Sequence, residues 1–265
     1  MPVYAVANQK GGVGKTTTTR NLGTALAKRG RKVLLIDLDP QGHLTLSLGI
    51  NPMTLEKHAY HVLIEEHVSI SEVLIYHKGS DVGLLPTNLD LSGAEMELLA
   101  DPMGNNMVLK SKLSSIRERA EYILIDCPPS LGLLTINALT AADGVLIPVQ
   151  THYLAYHGLF LLQQTIAKVK RRCHPDLRIV GIIPTLYDPR ARHDQEVRAA
   201  LRTNYQDSLI DLPIPRRVAL ADAMVAGHSI YDVDAHSDAA RIYTQIAEVL
   251  DHAQTEPRLD ERNGR

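Results

Sequence analysis

Val3-Tyr4-Ala5-Val6-Ala7-Asn8-Gln9-Lys10-Gly11-Gly12-Val13-Gly14-Lys15-Thr16-Thr17 is the stretch that decides the fold. It opens as an apolar run of strand length, Val3 to Asn8, and continues as a glycine-rich loop. Helical periodicity then runs from about Thr16 to Arg29 and stops at Gly30. Strand, glycine turn and helix in that order predict a phosphate-binding βα unit. The glycines let the backbone close so that its N–H groups face anionic oxygens, and the helix N-terminus adds the positive end of its dipole. The pattern Gly-x-x-x-x-Gly-Lys-[Ser/Thr] is met except at its first position, where Gln9 stands. On this pattern Gly11, Gly12, Val13 and Gly14 wrap the phosphates, with Thr17 in the first helical turn. Lys15 reaches the β- and γ-phosphates, and the Thr16 hydroxyl ligates Mg²⁺. The predicted ligands are ATP and Mg²⁺.

Further along, apolar runs of strand length alternate with longer segments of helical period. Strands are predicted at 32–37, 82–86, 122–126, 144–149 and 177–185. Helices are predicted at 58–78, 89–99, 106–119, 131–142, 154–172, 194–204, 218–226 and 237–250. This alternation predicts an α/β fold: one P-loop NTPase domain over residues 1–254, with a mostly parallel twisted sheet of seven or eight strands and helices on both faces. Residues 255–265 are polar, of mixed charge, and read as a frayed tail.

A phosphate loop that hydrolyses ATP needs carboxylates nearby. Asp126 ends the apolar strand Tyr122-Ile123-Leu124-Ile125 and suits a role holding Mg²⁺ through a water. Asp37 and Asp39 end the strand after the loop's helix and are assigned separate tasks. Asp39, beyond the strand end, is the candidate for orienting the attacking water, since phosphoryl transfer asks mainly for positioning and charge neutralisation.

Composition bounds the rest. The chain has 265 residues, 45% hydrophobic and 22% charged, with a formal net charge of −2. That charge argues against coating nucleic acid by bulk attraction, so any DNA contact needs a local basic patch. No apolar stretch reaches membrane-spanning length and no secretory signal opens the chain. Cys127 and Cys173 form no paired motif, and a reduced, cytoplasmic setting is expected. His58, His61 and His67 are too loosely spaced to predict a metal site.

With Lys10 ahead of its glycines, the loop resembles the deviant Walker A of the ParA/MinD group of ATPases. Leu34 to Gly42 (LLIDLDPQG) resembles that group's second motif, and Tyr122 to Ser130 (YILIDCPPS) its Walker B. Pro184 to Arg190 (PTLYDPR) and Ile214 to Val218 (IPRRV) resemble two later motifs of the ParA branch, so the similarity spans about residues 3 to 250. The resemblance implies that Lys10 is the signature lysine, crossing an ATP-dependent homodimer to the phosphates held by the other subunit. It implies catalytic roles for Lys10, Lys15 and Asp39, and places Pro215 and Arg217 beside the adenine. Arg217 stands where the group usually has Asn. The ParA branch also binds double-stranded DNA nonspecifically, which implies DNA contacts by Arg190, Arg216, Arg217 and the nearby Arg192. Ala219 occupies a position where relatives often carry Arg, and Arg217 or the basic run Lys168, Lys170, Arg171, Arg172 could compensate. The implied function is a nucleoid-associated positioning ATPase, released from DNA by a ParB-like or other adaptor that stimulates hydrolysis.

Three rival classes fit less well. A MinD-like membrane-associated ATPase would end in a basic amphipathic helix, whereas residues 251–258 (DHAQTEPR) lead into a polar tail, so no membrane partner is expected. An iron–sulfur carrier would need ligand cysteines that Cys127 does not provide. A metabolic P-loop ligase or kinase would usually lack Lys10. With the first strand beginning at residue 3, no N-terminal helix-turn-helix is expected either.

Overall fold

The computed structural model describes residues 1–100, 106–116, 118–152 and 155–255, with the side chains of 155–157, 254 and 255 excepted. Among the described residues seven strands form one sheet: β1 Val3–Val6, β2 Val33–Asp37, β3 Ile75–His77, β4 Val82–Leu85, β5 Tyr122–Asp126, β6 Gly144–Gln150 and β7 Arg178–Thr185. Their order is β3-β4-β2-β5-β1-β6-β7, parallel throughout except for β3, which runs antiparallel along β4. β1, β2 and β5 are buried on both faces, which is why they read as unbroken apolar runs.

Alternation along each strand builds two cores. Val3, Ala5, Leu34, Ile36, Ile123 and Ile125 face one way. They pack with α3 (Ala59–Ile64), α5 (Leu91–Ala100), α6 (Val108–Ser114), α7 (Leu133–Ala141), α8 (Ala155–Arg172) and α9 (Arg192–Asn204). Tyr4, Val6, Val33, Leu35, Tyr122 and Leu124 face the other way. There they meet α1 (Lys15–Lys28), α2 (His43–Leu46), α10 (Val218–Val225), α11 (Ile230–Asp234) and α12 (Asp238–Thr255).

The helix predicted over 58–78 is corrected. It consists of α3, a turn, the short helix α4 (Ile70–Val73) and the edge strand β3. Lys112 takes up the carbonyls at the break: its ammonium donates to those of Glu65, Glu66 and Val68, each at 2.8 Å. Those carbonyls are thus held outside any continuing helix. Ser69 and Glu72 then restart the chain with a capping box, the carboxylate accepting from Ser69 N at 3.1 Å. The helix predicted over 106–119 is shorter, ending at Ser114. α12 continues to Thr255, and residues 256–265 of the predicted tail lie outside the described residues.

Candidate functional site: a phosphate loop at the carboxyl ends of the strands

β1 sits between β5 and β6, so its carboxyl end opens between the ends of two neighbours, the usual place for a ligand in an open α/β sheet. The loop leaves β1 there. Gly12 (φ +70°) and Gly14 (φ +86°) take left-handed conformations that a side chain would strain. Gly14 is the N-cap of α1 and supplies no side-chain cap, which leaves the first N–H groups of α1 to whatever the loop encloses. A Cβ at Gly11 or Gly12 would meet nothing within 4 Å, so the glycines line an open cradle.

Four charged groups converge beneath that cradle. Lys15 is buried, and its ammonium lies 3.4 Å from the Lys10 carbonyl. Burial pulls its pKa down, while Asp126, Cys127 and Asp39 pull it back up. Asp126 is fully buried opposite Asp37 in the β2–β5 register. Burial foremost, then the Asp37 charge, pushes its pKa well above the carboxylate range, against a bond from Thr16 and the charge of Lys15. Thr19 donates to Asp126 Oδ1 at 3.4 Å, but Oδ2 has no hydrogen-bond partner among the described residues. A buried carboxylate oxygen without a donor, crowded by other carboxylates and facing a threonine hydroxyl, fits a divalent cation completed by phosphate oxygens and water. No group of three or more His, Cys, Asp or Glu side chains suited to a metal occurs among the described residues.

The structure separates Asp37 from Asp39. A spacing of two would put both on one face of a continuing strand, but β2 ends at Asp37. Asp37 Oδ2 accepts from the Thr45 amide at 2.8 Å and hydroxyl at 2.7 Å, anchoring α2, and burial raises its pKa to about 7. Asp39 instead heads a turn: its side chain accepts from Gln41 N at 3.1 Å and its carbonyl from Gly42 N at 2.8 Å. It remains close enough to act on the charge of Lys15.

Lys10 does not hang free. Its ammonium donates to Gln150 Oε1 at 2.8 Å and its amide to Asn8 Oδ1 at 3.0 Å, while Asn8 Nδ2 donates to the Pro148 carbonyl at 2.7 Å. A Cβ at Gly158 on α8 would come within 3.1 Å of Asn8 Oδ1 and 3.6 Å of Lys10 Cβ. Asn8, Gln150 and Gly158 thus seat the lysine. Sequence reading missed all three, though Asn8 and Gln150 are polar residues closing buried apolar strands.

β7 joins this loop to a second cavity. Thr185 Oγ1 donates to the Val13 carbonyl at 2.7 Å. The chain then turns through Leu186 at φ +53°, a conformation uncommon outside glycine. Tyr187 N donates to the Ile214 carbonyl at 3.0 Å and Arg216 N to the Tyr187 carbonyl at 3.1 Å. These bonds bring the 184–190 and 214–218 segments together around a cavity of about 350 Å³ whose lining includes Tyr187, Arg190, Pro215, Arg216 and Arg217. Arg217 is ion-paired with Asp238, and Arg192 with Glu196 at 2.8 Å. Arg190 and Arg216 are exposed and form no ion pair with a described residue. Arg192 lies outside the cavity lining, on α9. Lys168, Lys170, Arg171 and Arg172 end α8 just before β7 begins, at the opposite end of the sheet from Arg190 and Arg216.

Comparison with known proteins agrees with this geometry. The AAA domain family matches residues 1–179. Sporulation initiation inhibitor protein Soj of Bacillus subtilis (strain 168) is 40% identical over 245 residues, covering 92% of this chain and 96% of its own length. The chromosome partitioning protein ParA of Caulobacter vibrioides is 40% identical over 247 residues, covering 92% of each chain. The chain belongs to the ParA/MinD superfamily of P-loop ATPases. Among solved structures, cobyrinic acid a,c-diamide synthase from Mycobacterium smegmatis with bound ADP and magnesium superposes with a TM-score of 0.84 at 40% identity, covering 96% of both chains. No helix among the described residues is long and apolar enough to cross a membrane.

Proposed function

We propose that this ParA/MinD-superfamily ATPase is a DNA-positioning switch, in which ATP with Mg²⁺ drives formation of a homodimer that binds DNA without sequence preference. The observation carrying this reading is Lys10, seated by Asn8 and Gln150 beside a glycine cradle that already has its own lysine, Lys15. One ammonium suffices to meet the phosphates within a subunit. A second, held at the rim, suits phosphates bound by another copy of the chain. Gly11 to Gly14 and the start of α1, through Thr17, would wrap the phosphates, and Pro215 and Arg217 would flank the adenine. Thr16 and Asp126 would hold Mg²⁺, which supplies charge neutralisation between the β- and γ-phosphates. Asp39 would orient the attacking water.

Arg190 and Arg216, exposed and without an ion pair among the described residues, are the leading DNA contacts. Arg217 and Arg192 would first have to leave Asp238 and Glu196. Residues 1–254 would form the ATPase domain and 255–265 an appended tail. A ParB-like or other adaptor would stimulate hydrolysis and so release the protein from DNA, giving a cytoplasmic, nucleoid-associated distribution and moving a chromosome, plasmid or other cargo.

The test compares dimerisation and DNA binding with ATP, ADP and no nucleotide, for the wild type and Lys10→Ala. ATP-dependent dimers that retain DNA are expected from the wild type alone, with an affinity that falls steeply with salt. DNA binding indifferent to nucleotide, or a Lys10→Ala dimer as stable as the wild type, would refute the switch. A second reading, ATP-dependent amide synthesis, draws on the name of the M. smegmatis relative. It predicts ATP consumption that requires an acceptor carboxylate and an amine donor, and no response to DNA.

A further inference from the structure

A cavity of about 560 Å³ lies at the other end of the sheet, over the amino ends of β2 and β4. Leu34, which lines it, lies three residues along β2 from Asp37, roughly 10 Å away. Its floor is a notch at Gly83, which pairs with Leu34 on one side and Tyr76 on the other. A Cβ there would sit 3.3 Å from Leu74 and 3.4 Å from Leu34, so the missing side chain is what opens the groove. Leu74 and Ile116 form the walls, Leu74 being 37% exposed and Tyr76 at the mouth 56%.

The rim is cationic. Arg31, Lys32 and Arg119 line the groove against a single lining carboxylate, Asp81, which already accepts from the Tyr76 hydroxyl. Arg31 is partly neutralised by Asp251 and Glu121. Lys32 and Arg119 form no ion pair with a described residue, and Arg119 is oriented by donating to Ser71 Oγ at 3.2 Å. An aliphatic trough with two cations at its lip that form no ion pair among the described residues, of a volume typical of small-ligand sites, calls for one class of occupant.

We propose that this groove binds a small amphipathic anion, an apolar chain or ring bearing a carboxylate or phosphate head. The apolar part lies along Leu74, Gly83 and Ile116, and the head is met by Lys32 and Arg119. The site is separate from the phosphate loop, and the inference does not depend on the proposed function.

The test uses the full chain with ADP and Mg²⁺ in excess, so that the phosphate loop does not compete for the probe. Displacement of 8-anilinonaphthalene-1-sulfonate is followed with decanoate, decyl phosphate, decanol and decylammonium, each below its micelle concentration. The two anions are expected to displace the probe at concentrations at least tenfold lower than decanol, with decylammonium inactive; their relative potency identifies the head group. The Lys32→Glu/Arg119→Glu double variant is expected to lose anion binding at least tenfold while hydrolysing ATP at the wild-type rate. Leu74→Trp, which fills the trough without touching the charges, is expected to lose it too, with an unchanged melting temperature. Equal potency of decanoate and decanol overturns the proposal. So does wild-type anion binding by Leu74→Trp, which decides the matter even if the charge-reversed variant fails to fold.

Discussion

The two ends of the sheet are built on opposite electrostatic plans. At the carboxyl end Asp126 and Asp39 act on the buried Lys15, and the charge of Asp37 acts in turn on Asp126. At the amino end Arg31, Lys32 and Arg119 ring an open groove, and Arg29 and Arg31 grip Asp251 to hold α12 against the body of the fold. A buried acidic cluster with one lysine fits a cation with polyphosphate. An exposed cationic rim over aliphatic side chains fits a lone anion with an apolar body. The same parallel strands carry both, so the difference lies in which residues the loops bring to each end.

The contrast breaks most severely at Asp37. Its carboxyl, pushed up to about 7 in the fold against 3.8 ordinarily, holds a proton between those values when the unfolded chain does not. Stability is therefore fully present below about pH 4 and declines as pH rises to about 7, by on the order of 2–4 kcal/mol for this group. Denaturant unfolding at several pH values, without Mg²⁺, should show that slope, and Asp37→Asn should make it shallower, the remainder coming from Asp126, whose pKa is raised as well. A Lys32→Gln change at the amino end should leave it intact.

Lys15→Ala should lower ATP turnover about 100-fold or more, on the scale of removing one preorganised charge donor from a transition state. Phosphate release measures it, and activity within a few-fold of wild type would remove Lys15 from the phosphates. Lys112→Met should destabilise the fold by about 2 kcal/mol, because three carbonyls lose their shared donor. Its ATP affinity should be unchanged, since Lys112 serves the 58–78 region and touches neither end's ligand groups. The smallest effect is expected for Gln150→Leu. Releasing the Lys10 ammonium should weaken the proposed ATP-dependent dimerisation roughly tenfold, near the worth of one charged hydrogen bond. Sedimentation with a nonhydrolysable ATP analogue reads it, and unchanged dimers would show that Gln150 does not position Lys10.

Much of the carboxyl end was legible in advance because its signals are local. Gly12 and Gly14 stand where the backbone must turn left-handed, and Lys15, Thr16 and Asp126 are positioned by a strand, a loop and a helix close in sequence or in register. The break in the 58–78 segment is not visible locally, since the donor that satisfies its carbonyls is Lys112, more than forty residues away. The seat of Lys10 escaped notice for the same reason: Gln150 and Gly158 reach it only through the β1–β6 pairing and the packing of α8. The amino-end groove left no motif, since it arises from an absent side chain at Gly83 and from cations on two loops far apart in sequence, 31–32 and 119.

By itself, then, the sequence determined the α/β alternation, the phosphate loop and the family, because strand periodicity, glycine conformations and the order of motifs are properties of neighbouring residues. Only the tertiary structure decided which carboxylate anchors α2 and which lies by the loop, what holds Lys10, and which arginines form no ion pair among the described residues. It also decided that a cationic groove exists at all. Those outcomes depend on burial and on partners distant in the chain, and both come into being only when the sheet assembles.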